Sequence, residues 1–271
     1  MKDPQFFSKP ANYNFILLYY YIIMDNNIIQ KDPISNITIK PLTKINLDDN
    51  DDIKEPLPNF KTRSNFIMSI IAPTGSGKSV LISNLIRVYY KNIFDKIYFC
   101  SSNVADDLKI YDNAYNSLKF DDKRIFNTIN NEIINYIKLD IETDEDFDKK
   151  DFKTLLIIDD LITEVANKKN KDLINFILKS RHLKTSIIII SHKYNFLPSV
   201  IRNNLTHIIL FRSKSKLELD TIYKGIIDVD DDEFYKIYND ATNEQHNFLY
   251  IVLNKNPQQY YHNFNYRYRI S

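Results

Sequence analysis

The sequence predicts an α/β fold: an open, mostly parallel sheet flanked by helices, preceded by an N-terminal extension. Three observations carry this. Short, nearly unbroken apolar runs recur at Phe66–Ile71, Ile97–Cys100, Leu155–Ile158, Ile187–Ile190 and Ile208–Phe211. They lack polar alternation, so both faces of each strand should be covered, as in parallel sheets. Helical stretches lie between them, at Ser79–Lys91 and Lys171–Lys179, and repeated strand–helix–strand units build such a sheet.

Taken in order, the N-terminal run Phe15–Met24 reads FILLYYYIIM. It is too short to span a bilayer, which needs about 20 residues, so no stable membrane insertion is expected. Lys2 and Lys9 could flank a signal peptide, but no small-residue cleavage site follows, only Asp25 and Asn26. The run reads as a strand or helix packed on the domain, or as part of residues 1–23 lying upstream of a start at Met24. Residues 1–60 form the extension. Ile37 and Ile39 alternate with polar residues into a short strand before Pro41, and Asp48, Asp49, Asp51 and Asp52 belong to a solvated linker. Residues 61–271 form the domain. Within it, Asp140–Asp151 and Asp228–Glu233 lack the central glycine of a calcium loop and read as solvated surface. A helix follows near Asp232–Asn239, then an apolar run at Phe248–Leu253 and a turn at Asn254–Pro257. The tail Tyr260–Tyr268 reads as a closing β-hairpin rather than a base-stacking surface, because Tyr and Phe favour strands.

Composition excludes several classes. Lys+Arg number 36 and Asp+Glu 35, a net charge of +1, so binding of nucleic acid would need a local patch. Cys100 is the single cysteine, which rules out internal disulfides and zinc sites of paired cysteines and points to a reduced, intracellular setting. Its place at a strand end reads as a small buried hydrophobe. The chain has only three glycines, Gly75, Gly77 and Gly225. Two of them stand inside Ala72-Pro-Thr-Gly-Ser-Gly-Lys-Ser79, between a predicted buried strand and a predicted helix.

That octapeptide is a phosphate-loop pattern with Ala72 in place of the first glycine. Successive backbone N–H groups and a helix N-terminus make an anion cradle, and glycines permit the backbone angles it needs. Thr74, Gly75, Ser76, Gly77, Lys78, Ser79 and Val80 are the predicted nucleotide-binding residues. Lys78 would reach the β- and γ-phosphates of ATP, and the Ser79 hydroxyl would ligate Mg²⁺. Leu155–Asp160 reads LLIIDD, an apolar strand ending in two carboxylates. Asp159 would hold Mg²⁺ and Asp160 would polarise the attacking water. The strand Ile187–Ile190 ends in Ser191 and His192, either of which could sense the γ-phosphate. Arg181 and Arg202 are candidates for an arginine completing a neighbour's site in a ring. Between Leu161 and Tyr194, Lys168, Lys169, Lys171, Lys179, Arg181, Lys184 and Lys193 stand against Glu164 and Asp172. Seven minus two leaves a local +5, a patch expected beside the catalytic strand ends, fit to track a phosphate backbone or to be a solvated lysine-rich face.

APTGSGKS, LLIIDD, KSRHLKTSIIIISHKYNFLPSVIRNN and HIILFR together resemble the poxvirus-type genome-packaging ATPases of the FtsK–HerA superfamily, over about residues 60–265. The resemblance implies a RecA-like P-loop ATPase core, a homo-oligomeric ring, and ATP-driven movement of double-stranded DNA into a capsid through portal or vertex proteins. It also implies the host cytoplasm or viral factory, or the virion, as location. The family usually places a glutamine where His192 stands. A nucleotide kinase or other small-molecule phosphotransferase, a helicase-type ATPase and a non-catalytic nucleotide-binding scaffold share the phosphate loop. A kinase would want an arginine-rich lid, and the only arginine cluster is Arg267 and Arg269 in the tail. Transporter ATPases need adjacent glycines, which this chain lacks.

Overall fold

The computed structural model describes residues 29–34, 65–90, 93–103, 124–161 and 171–270. The expected N-terminal apolar segment, the strand at Ile37–Ile39 and the acidic linker lie outside these residues, as do Lys91, Lys168 and Lys169. In chain order the elements are β1 (Lys31–Pro33), β2 (Ile67–Ile71), α1 (Lys78–Asn84) continuing into a π-helical turn (Leu85–Tyr89), β3 (Lys96–Ser101) and β4 (Ile125–Phe126). Then come α2 (Asn131–Glu142), β5 (Thr154–Asp159), α3 (Lys171–Lys179), β6 (Thr185–Ser191), α4 (Ser199–Arg202) and β7 (His207–Phe211). The chain closes with α5 (Lys216–Ile226), α6 (Asp231–Ala241), β8 (Phe248–Val252), β9 (Gln259–His262) and β10 (Tyr266–Tyr268).

Among the described residues, ten strands make one sheet in the order β1-β10-β9-β8-β7-β2-β6-β5-β3-β4. From β7 to β4 every neighbour is parallel, and from β7 to β1 every neighbour is antiparallel. The apolar runs of the sequence are the central parallel strands. Alternate residues of one strand serve two cores: Ile187 and Ile189 of β6 join one cluster, Ile188 and Ile190 the other. Leu81, Ile82, Leu85 and Ile86 of the α1 rod cover one face. Ile134, Ile137 and Ile141 of α2, Leu173 and Ile177 of α3, and Ile222 and Phe234 of α5 and α6 cover the other. The aromatic tail is the predicted hairpin, β9 and β10. Lys31–Pro33, within the stretch read as extension, pairs outside β10. Cys100 is fully buried.

Two expectations about charge need correcting. Asp140–Asp151 is not plain solvated surface. Asp140 lies in the last turn of α2, where it accepts from the Tyr98 hydroxyl (2.5 Å), Lys96 Nζ (3.1 Å) and Arg124 Nε (3.2 Å). Lys96 is 8% exposed and also pairs with Asp144 at 2.7 Å, because a buried ammonium must be compensated. In Asp228–Glu233, Asp230 caps α6 by accepting from the Glu233 N–H (2.8 Å), and Asp228 accepts from the Tyr260 hydroxyl (2.8 Å). Helices α2 and α5 and the short β4 are additions to the sequence expectations. Asn130 and Ser215 cap the two helices through their side chains.

At the junction of the parallel and antiparallel halves sits His207, 5% exposed. Its ring stacks on Tyr250 at 5.9 Å and meets Phe66 edge-on at 5.8 Å. Burial, and then the Lys255 charge, push its pKa from 6.5 down to about 4. The unfolded chain therefore takes up a proton near pH 6.5 that the folded chain refuses until near pH 4. Stability must rise with pH across that window and fall on acidification through it. His207→Gln is expected to remove this term. Urea melts between pH 4 and 7 should show wild-type stability falling relative to the variant's on acidification, by on the order of 2–3 kcal/mol, and a pH-independent difference would exclude His207 as its source.

Candidate active site

The site forms where β2, β6 and β5 end together. Ile71 pairs with Ser191 and Asp159 with Ile190 in register, so the loops leaving these strands emerge side by side. This is the carboxyl edge of a parallel sheet, where ligands of α/β folds bind. β6 is interposed between the phosphate-loop strand and the carboxylate strand.

The loop after β2 turns through Gly75 (φ 77°) and Gly77 (φ 99°) before α1 begins at Lys78. Both are left-handed conformations that favour glycine. Lys78 Nζ donates to Asp160 Oδ2 and stands 3.8 Å from Asp159 Oδ1, so residues 81 and 82 positions apart meet at one point. Asp159 is 3% exposed. Asp160 adopts φ 54°, left-handed for a non-glycine residue but more tolerated by Asp than by most. That turn lets two consecutive carboxylates face the same ammonium rather than opposite faces of the sheet. One cation against two carboxylates leaves a formal −1.

His192 continues the cluster. Its Nε2 is 3.1 Å from Asp160 Oδ2 and its Nδ1 is 3.1 Å from the Ala72 carbonyl oxygen. Of the two sensor candidates, His192 faces the site. The fully buried Ser191 instead turns its hydroxyl onto the Lys193 carbonyl at 2.8 Å, tying its own turn.

The arginines lie elsewhere. Arg181 precedes β6 and is exposed at the opposite edge of the sheet, where the adjacent Ser180 carbonyl accepts from Asn65, two residues before β2. Arg202 is half-buried with its guanidinium over the Tyr194 ring at 5.2 Å. The expected +5 patch beside the catalytic strand ends is not one patch among the described residues. Helix α3 carries the chain back from the catalytic edge, so Lys179 and Arg181 come before β6 while Lys193 follows its carboxyl end. Lys184 donates to the Phe147 carbonyl and to the Lys149 carbonyl (2.8 Å), an internal use of its charge.

Beside the phosphate loop opens a cavity of about 680 Å³. Thr74, His192, Phe211, Arg212, Glu218 and His246 line it. Glu218, 7% exposed, accepts from the Tyr194 N–H (2.8 Å) and the Ser213 hydroxyl (2.9 Å), joining the loops that leave β6 and β7. His246 closes over the phosphate loop from the α6–β8 turn. Sequence reasoning had no signal for Glu218 or His246, since neither belongs to a motif or a spacing.

The family model for the poxvirus A32 protein matches residues 59–255. No curated protein matches the chain in sequence. Among solved structures, the chain is similar to the genome packaging NTPase B204 from Sulfolobus turreted icosahedral virus 2 in complex with sulfate. The TM-score is 0.54 at 19% identity, over 73% of this chain and 95% of that one. The complex of that NTPase with ATP-gammaS gives 0.50 at 18%, over 73% and 96%. The DNA-packaging ATPase B204 from Sulfolobus turreted icosahedral virus gives 0.52 at 18%, over 78% and 100%. At these identities the likeness establishes a shared fold.

A side chain at Gly77 would face both a strained φ and the His246 ring, 3.0 Å from the added Cβ. Gly77→Ala is expected to lower stability by about 1–2 kcal/mol in urea melts and to abolish the rise in melting temperature on adding ATP. A variant that keeps the full rise would show that the loop accommodates a side chain there.

Proposed function

The chain belongs to the poxvirus A32 protein family, and from that premise we propose that it is an ATP-hydrolysing motor that moves double-stranded viral DNA into a preformed capsid. The observation that carries the chemistry is the meeting of Lys78 with Asp159 and Asp160 beneath a glycine-turned loop. Packaging itself rests on the family and on the fold shared with an NTPase described as genome packaging.

Thr74 to Val80 cradle the phosphates of ATP. Lys78 exchanges the Asp160 carboxylate for the β- and γ-phosphate oxygens, which carry more charge and present several acceptors. That exchange frees Asp160 Oδ2. Asp160 then accepts the proton of the attacking water as its oxygen bonds to the γ-phosphorus and the bond to the ADP oxygen breaks. His192, fixed through the Ala72 carbonyl, holds Asp160 from the other side and senses the γ-phosphate. The Asp159 carboxylate and Ser79 hydroxyl are hard oxygen donors beside a surplus negative charge, and they fit Mg²⁺. When bound, Mg²⁺ supplies neutralisation of phosphate charge.

The motor acts as a homo-oligomeric ring with a trans arginine. Arg181 suits that role better than Arg202, because it is exposed on a different edge from its own site while Arg202 is stacked on Tyr194. The ring engages a capsid portal or vertex protein in the host cytoplasm or viral factory, or in the virion. Among the described residues no helix is long and apolar enough to cross a membrane. A kinase reading is disfavoured by the tail arginines: Arg269 pairs with Asp32 on the outermost strands, far from β2 in the sheet.

Lys78→Ala is expected to lose ATP binding by calorimetry. Asp160→Asn should still bind ATP while turnover falls at least about a hundredfold; normal hydrolysis by Asp160→Asn would move the base elsewhere. Duplex DNA should stimulate turnover of the assembled protein, and equal rates with and without DNA would refute translocation. Mixing Arg181→Ala with Asp160→Asn subunits should restore activity that neither has alone, whereas an inactive mixture would exclude a trans role for Arg181.

A further inference from the structure

We propose that His246 is a positioning residue of the phosphate loop, held over it by a clasp with the β9–β10 hairpin. The proposal rests on the reading of that loop as the ATP site, and it assigns a role to a residue outside the loop and the carboxylate strand.

His246 Nδ1 lies 3.0 Å from the Ser76 carbonyl oxygen, so that nitrogen carries the hydrogen and donates it. The ring also packs against Gly77, where an added Cβ would lie 3.0 Å from Nδ1. Ser76 stands between the two left-handed glycines. In a trans peptide the C=O and the following N–H point in opposite directions. Fixing the Ser76 carbonyl on His246 therefore aims the Gly77 N–H away from His246, toward the inside of the loop. A loop that binds phosphate through backbone N–H groups gains affinity when those groups are already aimed.

Core packing does not explain this placement, because His246 is exposed. It also holds a left-handed backbone at φ 70°, a conformation that persists only where the surroundings determine it. They do so here. Asn247 donates from its backbone to the Glu244 carbonyl and from its side chain to the Glu244 carboxylate, each at 3.3 Å. Asn263, itself at φ 51° in the hairpin turn, donates from Nδ2 to Asn247 Oδ1 at 3.0 Å. Its Oδ1 accepts from the Phe248 N–H at 3.0 Å. The hairpin is thereby linked through Asn263, Asn247 and His246 to a loop 170 residues earlier in the chain.

The test is steady-state ATP hydrolysis with Mg²⁺, read as KM against kcat, with the melting temperature of each variant as a fold control. His246→Ala is expected to raise KM for ATP about five- to tenfold, the worth of a hydrogen bond and its orienting effect, with kcat changed less than about twofold. His246→Asn keeps an amide donor near the Nδ1 position and should return KM to within about threefold of wild type. Asn263→Ala, which touches neither loop nor nucleotide, should raise KM in the same direction. Wild-type KM in His246→Ala or Asn263→Ala, or a fall in kcat with KM unchanged, would overturn the proposal. If His246→Ala does not fold, the Asn263→Ala and His246→Asn values decide it in the same way. Absence of turnover in the wild-type chain, or wild-type turnover in Lys78→Ala, would instead defeat the ATPase reading.

Discussion

Two adjacent carboxylates at a buried strand end are tolerable only with a cation between them, and Lys78 is that cation. The rest of the site follows from this constraint. Asp159 is almost fully buried, so its charge depends on a partner rather than on water. Asp160 and His192 complete a chain of polar contacts that ends on the carbonyl of the residue opening the phosphate loop. A triphosphate arriving in the loop competes directly for Lys78. On the proposed reading, binding and the freeing of Asp160 are thus one electrostatic event.

The sheet supplies the geometry. Strands β2, β6 and β5 end in register, and a parallel sheet brings its carboxyl ends to one edge. The antiparallel half adds a second set of walls: Phe211 and Arg212 from the end of β7, and His246 from the turn before β8. The cavity beside the phosphate loop therefore lies over the junction of the two halves. Glu218 ties the exits of β6 and β7 across that junction.

Much of this was legible in the sequence. The five apolar runs are strands, because a strand covered on both faces has no polar alternation to hide it. The loop and the DD pair were legible because glycine is so scarce here. What was not legible depends on distance along the chain. Asp140 looked solvated because its partner Tyr98 is 42 residues away. The basic stretch looked like one patch because sequence adjacency ignores α3 and β6, which place Arg181 and Lys193 at opposite ends of one strand. His246 belongs to no pattern at all, and only the fold brings it to Ser76.

The left-handed turn at Asp160 also constrains how this pair of acids can evolve. A glutamate in the second place would add one methylene. Here the longer side chain would have to enter a backbone shape that glutamate adopts less readily than aspartate, and its carboxylate would overshoot an ammonium already in contact. The shorter acid and the twisted backbone are matched to each other, so drift at either position alone meets resistance that a change of both together would escape.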